Sequence, residues 1–322
     1  MIGVYIYRQF SFRQFVNTRK RQKATENTTT TERPVGQALA FPSITLEFSG
    51  RQRLMTAWHT AVADFRYIVF SWPFMAILLA GGLLVFFQQQ QMNPAYGFEL
   101  LPTTAQLLRF PMFIFGLVIN LLTFLYIGTL HFRGQTSGMG PLIDTLPQRN
   151  GLLLATRLSA ALLMQLLLLS LVMLTGILAQ TLQGYYHYEL WHYTFELLVL
   201  QFVHFMIWAC AAVLVYTLVN NLYLGFFILL ILPTAVTALR PLSDFLGWPF
   251  LRQSILQFNQ VPGVTVGFDY SDLSGYGSVL PLYASFKGYW LLLGVLFLLL
   301  SVLFWPRGLT FSWRERLNVA RL

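Results

Sequence analysis

FPMFIFGLVINLLTFLYIGTL, residues 110–130, runs for 21 residues without an Asp, Glu, Lys or Arg. A helix rises about 1.5 Å per residue and a bilayer's hydrocarbon core is about 30 Å thick, so about 20 apolar residues make one crossing. The run is an unbroken Leu- and Phe-rich stretch rather than the alternation of a barrel strand, which predicts a helix. It ends in HFRGQTSGMGPLIDTLPQRN, residues 131–150, a polar interruption before the next apolar run.

Five further runs are equally free of charge: Tyr67–Phe87, Leu158–Ala179, Leu197–Val219, Leu222–Leu239 and Tyr289–Trp305. With 56% apolar and 10% charged residues over 322 positions, the chain cannot hide its hydrophobic surface in one water-soluble core. The expected fold class is therefore all-α and polytopic, with six transmembrane helices.

Charge sets the expected topology. The 21 Lys+Arg against 12 Asp+Glu would suggest nucleic acid in a soluble protein, but in a membrane protein basic residues mark the cytoplasmic side. Ten of them precede the first run, Arg133, Arg149 and Arg157 surround the polar loop, and Arg307, Arg314, Arg316 and Arg321 follow the last run. The alternate connections hold Arg109, Arg240, Arg252 and Lys287. This asymmetry predicts that both termini and the 131–150 loop are cytoplasmic, with membrane lipids and not nucleic acid as the charge's partner.

Residues 1–50, with Arg19, Lys20, Arg21, Lys23 and the Thr28–Thr31 run, read as a cytoplasmic tail or linker, and 51–322 as the six-span domain. At its start, Leu54, Trp58, Ala61, Val62 and Phe65 share one helical face, which predicts an interfacial helix over 54–66. Asn120 and Gln165 are polar groups at membrane depth that either bond neighbouring helices or line a path. Tyr185, Tyr186, Tyr188, Trp191 and Tyr193 have the composition of an outer aromatic belt. The apolar stretch within 240–288 reads as an interfacial or re-entrant segment.

Catalytic chemistry is not legible. His187 and His192 are five residues apart and do not share a helical face with Glu189, so no metal site is assigned. His204 and the single cysteine, Cys210, are six apart, and Asp269 and Asp272 lie in a Gly- and Ser-rich turn sequence. No phosphate loop, H-E-x-x-H or G-x-S-x-G occurs. The reading assigns no catalytic, cofactor or metal residue, and any ATP hydrolysis falls to a partner chain. No charged residue lies inside the six runs to serve ion-coupled transport. In the loop, Met139, Leu142, Ile143 and Leu146 stand at i, i+3, i+4 and i+7, an apolar face that needs a partner.

Several stretches together resemble the type-2 ABC exporter permeases. They are GRQRLMTAWHTAVADFRYIVFSWPF at 50–74, G-x-L-x-x-R ending at Arg133, IDTLP at 143–147, GYYHYEL, VNNLYLG, SDLSGYG, FKGYW, and RG followed by SWRERLNVARL. The specific likeness is to the second six-span half of bacterial fusions that join two permease halves to a zinc aminopeptidase. The likeness covers most of the chain, and Met1–Phe15 is similar to the cytoplasmic exit of a preceding half. It implies an inner-membrane permease domain that pairs with a second six-span half, as homo- or heterodimer, and docks a separate ATPase subunit. The coupling helix falls on Met139, Leu142, Ile143, Asp144 and Leu146, with Arg133 as the basic residue of the loop and Pro147 also in the pattern. Thr129 stands where the family carries an acid, and the charged run expected around Gly134–Thr136 is missing. The alternative expectation is a membrane scaffold for a peptidase or envelope complex that has kept the spans and lost the coupling charges.

Overall fold

A computed structural model describes residues 50–90, 102–140, 142, 150–247, 258–259, 261, 270, 275–277 and 279–305, all within the unit Phe48–Leu322. Among the described residues the chain is all-helical and has no strand. Residues 1–49 of the tail expected over 1–50, the residues after Trp305, and Ile143, Asp144 and Leu146 of the loop lie outside the described residues.

Helix α1 (Gly50–Val69) contains the expected interfacial segment and continues past it. It stops because Pro73 lacks an N–H and its ring would collide with the carbonyl four residues back. In the corner, the Ser71 carbonyl accepts from Met75 N at 3.1 Å and the Ser71 hydroxyl lies 2.8 Å from the Tyr126 hydroxyl. The apolar run expected from Tyr67 is thus divided, and the first membrane-length helix is α2 (Trp72–Gln90).

Next come α3 (Thr104–Thr136), α4 (Asn150–Leu182), the short α5 (Leu190–Tyr193) leading through a π-helical stretch Thr194–Gln201 into α6 (Phe202–Val219), then α7 (Leu222–Phe245) and α8 (Val279–Phe304). Among the described residues, five helical segments are long and apolar enough to cross a membrane: α2, Ile114–Thr136 of α3, α4, Leu190–Val219 and α8. Helix α7 stands in the place of the other expected span, with Leu222–Pro233 as its apolar part. At 33 residues each, α3 and α4 are about 50 Å long and exceed a hydrocarbon core by about 20 Å.

Helices α2, α3 and α4 alternate in direction. At one end the Gln89 side chain donates to Leu107 O, and Gln180 donates to Pro102 O at 3.0 Å. At the other, Arg157 donates to His131 O at 3.1 Å. The α6–α7 turn consists of two asparagines: Asn220 takes a left-handed φ of 50°, and Asn221 Oδ1 accepts from the N–H groups of Tyr223 and Leu224. Asparagine tolerates the first conformation and caps the second, so the pair ends one helix and starts the next.

The core lies where α3, α4 and α6 meet. Phe115, Ile119, Leu168 and Phe205 are buried together, and Phe124, Trp208, Tyr216 and Leu229 form a second cluster toward the loop end. Tyr216 is wedged between helices by two glycines and donates its hydroxyl to Phe124 O at 2.8 Å. A Cβ at Gly128 or at Gly225 would fall 2.6 Å from the Tyr216 ring. Gly225→Val is therefore expected to lower stability by about 1–3 kcal/mol through overpacking, read as thermal unfolding in detergent. Tyr216→Phe, which loses one hydrogen bond and no volume, is expected to cost about 1 kcal/mol.

Candidate functional site

The 131–150 loop leaves from the far end of α3. Ser137 N bonds to Arg133 O, Gly138 N to Gln135 O, and Gly138 takes a left-handed φ of 70°, which turns the chain. Beyond the turn, Met139 is 54% and Leu142 64% exposed. Two of the four residues expected to share an apolar face thus present apolar surface at the end of the bundle.

The last turn of α3 is held against α1 by charge. Arg133 Nη1 donates to Asp64 Oδ1 at 2.8 Å, and its guanidinium lies 4.3 Å from the Tyr67 ring centroid. Nearby, Arg157 of α4 bonds to the His131 carbonyl and sits 4.9 Å from the Trp305 ring centroid. Between α1, the end of α3 and the start of α4 lies a cleft of about 480 Å³, lined among others by Thr60, Asp64, Arg133, Ser137, Thr156 and Arg157. Met139 reaches its rim.

Burial raises the Asp64 carboxyl above its ordinary range, against the pull of Arg133 and Arg157. An acid raised on folding contributes stability below its unfolded pKa that is lost as pH rises through the folded value.

The two polar residues at membrane depth differ. Gln165 is fully buried, and its Nε2 donates to Thr123 Oγ1 at 3.0 Å and Phe205 O at 3.2 Å, so one amide joins α3, α4 and α6. Asn120 is half-buried on α3, and its Oδ1 is buried with no hydrogen-bond partner among the described residues.

At the other end the structure brings together polar residues that the sequence leaves scattered. Lys287, expected in an outer connection, lies inside α8 at 3% exposure. Its Nζ donates to Asn259 O at 2.7 Å and Asn259 Oδ1 at 2.6 Å, and lies 3.1 Å from His204 Nδ1. Asn259 Nδ2 returns a bond to His204 O at 2.8 Å. Glu196, expected at the edge of its run, is 2% exposed in the π-helical stretch, with Oε2 3.1 Å from His192 Nε2. The His192 ring stacks on Tyr276 and meets Tyr270 edge-on. Burial, with Glu196 as the next cause, raises the Tyr276 hydroxyl's pKa. Among the described residues no three His, Cys, Asp or Glu side chains gather as metal ligands. Asp269 and Asp272 lie outside the described residues.

No protein-family model and no curated protein matches this chain. The class its helices define is an all-helical, multi-pass membrane protein.

Sequence reasoning missed Asp64 as the partner of Arg133, although Asp64 is the only carboxylate in residues 51–90. It also left Lys287 outside the last span, although the apolar residues from Val279 onward continue around it. From the direction of the Asp64 shift, wild type is expected to lose stability relative to Asp64→Asn, which lacks the titrating group, as pH rises above the ordinary carboxyl value of 3.8. Arg133→Met is expected to cost on the order of 1 kcal/mol at pH 7, held down by the exposure of Arg133. Thermal unfolding as a function of pH checks both. A wild type that gains stability relative to Asp64→Asn as pH rises would contradict the assignment.

Proposed function

We propose that this chain is the transmembrane subunit of an ATP-driven exporter of the type-2 ABC class. In this reading α2, α3, α4, Leu190–Val219, α7 and α8 are six spans with both termini cytoplasmic, in a bacterial inner membrane. A separate ATPase chain docks on the 131–150 loop, and a second six-span half completes the path.

The observation that carries the reading is the length of α3 and α4. A crossing needs about 20 residues, and each of these helices has 33. Helix α3 continues from the apolar run 110–130 to Thr136, and α4 begins eight residues before Leu158, so the loop starts beyond both apolar runs, with Met139 and Leu142 exposed near its start. Apolar anchors spaced along a short helix are what a groove on a partner recognises. The ion pair of Arg133 with Asp64 ties the base of this lever to the interfacial helix α1, so force on the loop reaches the first span as well as α3 and α4. Basic residues on the same side of the bundle agree with a cytoplasmic loop.

A scaffold role is the second reading. It is favoured by Thr129, which offers no charge and whose hydroxyl turns back to Tyr126 O at 3.0 Å.

Leu142→Asp with Ile143→Asp is expected to abolish co-purification of a candidate ATPase chain that binds the wild type, while membrane insertion is unchanged. Retained co-purification would sink the coupling assignment. Substrate-stimulated ATP hydrolysis in vesicles holding both chains would count against the scaffold.

A further inference from the structure

We propose that the cleft between α1, the end of α3 and the start of α4 is a binding site for the phosphodiester head group of an anionic lipid. The site rests on the cleft alone and holds whether or not an ATPase docks beside it.

Its depth in the membrane follows from the side chains around it. Helix α1 exposes Leu54, Trp58 and Tyr67, the corner after it exposes Phe70 and Trp72, and Trp305 flanks Arg157. Aromatic residues mixed with guanidiniums at one end of a helix bundle mark the head-group layer. The cleft thus opens at the level where lipid phosphates lie, and its volume of about 480 Å³ lies within the range of small-ligand sites.

Its charge selects the ligand. Among the described lining residues, two guanidiniums face one carboxylate, Asp64, leaving one net positive charge. Arg133 spends one bond on Asp64 and Arg157 one on the His131 carbonyl, whereas a guanidinium carries five N–H donors in a planar fork that fits phosphate oxygens. One surplus cation matches a phosphodiester, which carries a single negative charge, better than a phosphate dianion.

The hydroxyls complete the match. Thr60 donates to Thr56 O, Thr156 to Leu153 O and Ser137 to Gly134 O. Their protons are used, so toward the cleft they offer lone pairs. Acceptors beside a cationic fork suit a head group that carries its own hydroxyl donors next to the phosphodiester, as phosphatidylglycerol does.

The test is native mass spectrometry of the delipidated full chain in detergent, titrated with phosphatidylglycerol, with phosphatidylcholine and with inorganic phosphate. One phosphatidylglycerol per chain is expected to be retained in preference to phosphatidylcholine. Arg157→Gln, which removes the surplus charge, is expected to weaken retention about tenfold, the equivalent of one charge-assisted bond. Thr60→Trp, which fills the cleft and leaves every charge in place, is expected to weaken it by a similar factor and guards against misfolding of the arginine variant. Asp64→Asn is expected to tighten it severalfold. Equal retention of both lipids by wild type and variants would overturn the site in favour of a non-specific lipid shell. Displacement of phosphatidylglycerol by submillimolar inorganic phosphate would overturn the lipid assignment in favour of a soluble anion.

Discussion

The amide of Gln165 touches two neighbouring helices at once, donating to a threonine hydroxyl on α3 and to the carbonyl of Phe205 on α6. In hydrocarbon there is no water to take those bonds, so the helices must supply the partners to one another. Such a bond contributes modestly, about 0.6 kcal/mol on average in membrane proteins. Its larger consequence is register, because a slip of one residue in α4 would move the amide away from both acceptors. The aromatic clusters on either side, around Phe115 and around Tyr216, interlock only when that register is kept.

The same constraint explains the ends of the bundle. The chain passes through a π-helical stretch at Thr194–Gln201, where the hydrogen-bond ladder changes spacing and carbonyls near its exit look elsewhere for donors. Tyr283 donates to Leu200 O at 2.6 Å and Asn259 to His204 O. Lys287 in turn fastens Asn259, so one lysine buried in α8 holds a piece of the connection that precedes it. A lysine at that depth is tolerable because acceptors surround its Nζ. At the loop end, charge is used differently: Arg133, bonded to Asp64, and Arg157, bonded to the His131 carbonyl, both line a cleft where a lipid head group can supply further acceptors.

Much of the fold was legible as composition. Runs of uncharged Leu and Phe long enough to cross a bilayer can do little else, and Asn220 and Asn221 punctuate them for local reasons, whereas the break at Pro73 was read through as part of one run. The limits of the helices were less legible, because a helix continues wherever its ends are satisfied, whether or not its residues are apolar. That is why α8 begins at Val279 and takes in Lys287, and why α3 and α4 outrun their apolar cores. The candidate site was legible in part. The spacing of Met139 and Leu142 marks a partner-seeking face, yet neither residue announces the cleft beside it.

The sequence by itself determined the class of the protein and the sites of its sharpest turns, since both follow from the transfer energies of individual side chains and from local backbone sterics. Tertiary structure alone decided that Asp64 meets Arg133 across 69 positions, that Lys287 meets Asn259 and His204, and that Gln165 joins three helices. Periodicity says which face of a helix is polar but not which helix lies opposite. That pairing depends on how ridges, glycines and aromatic rings interdigitate over the whole bundle.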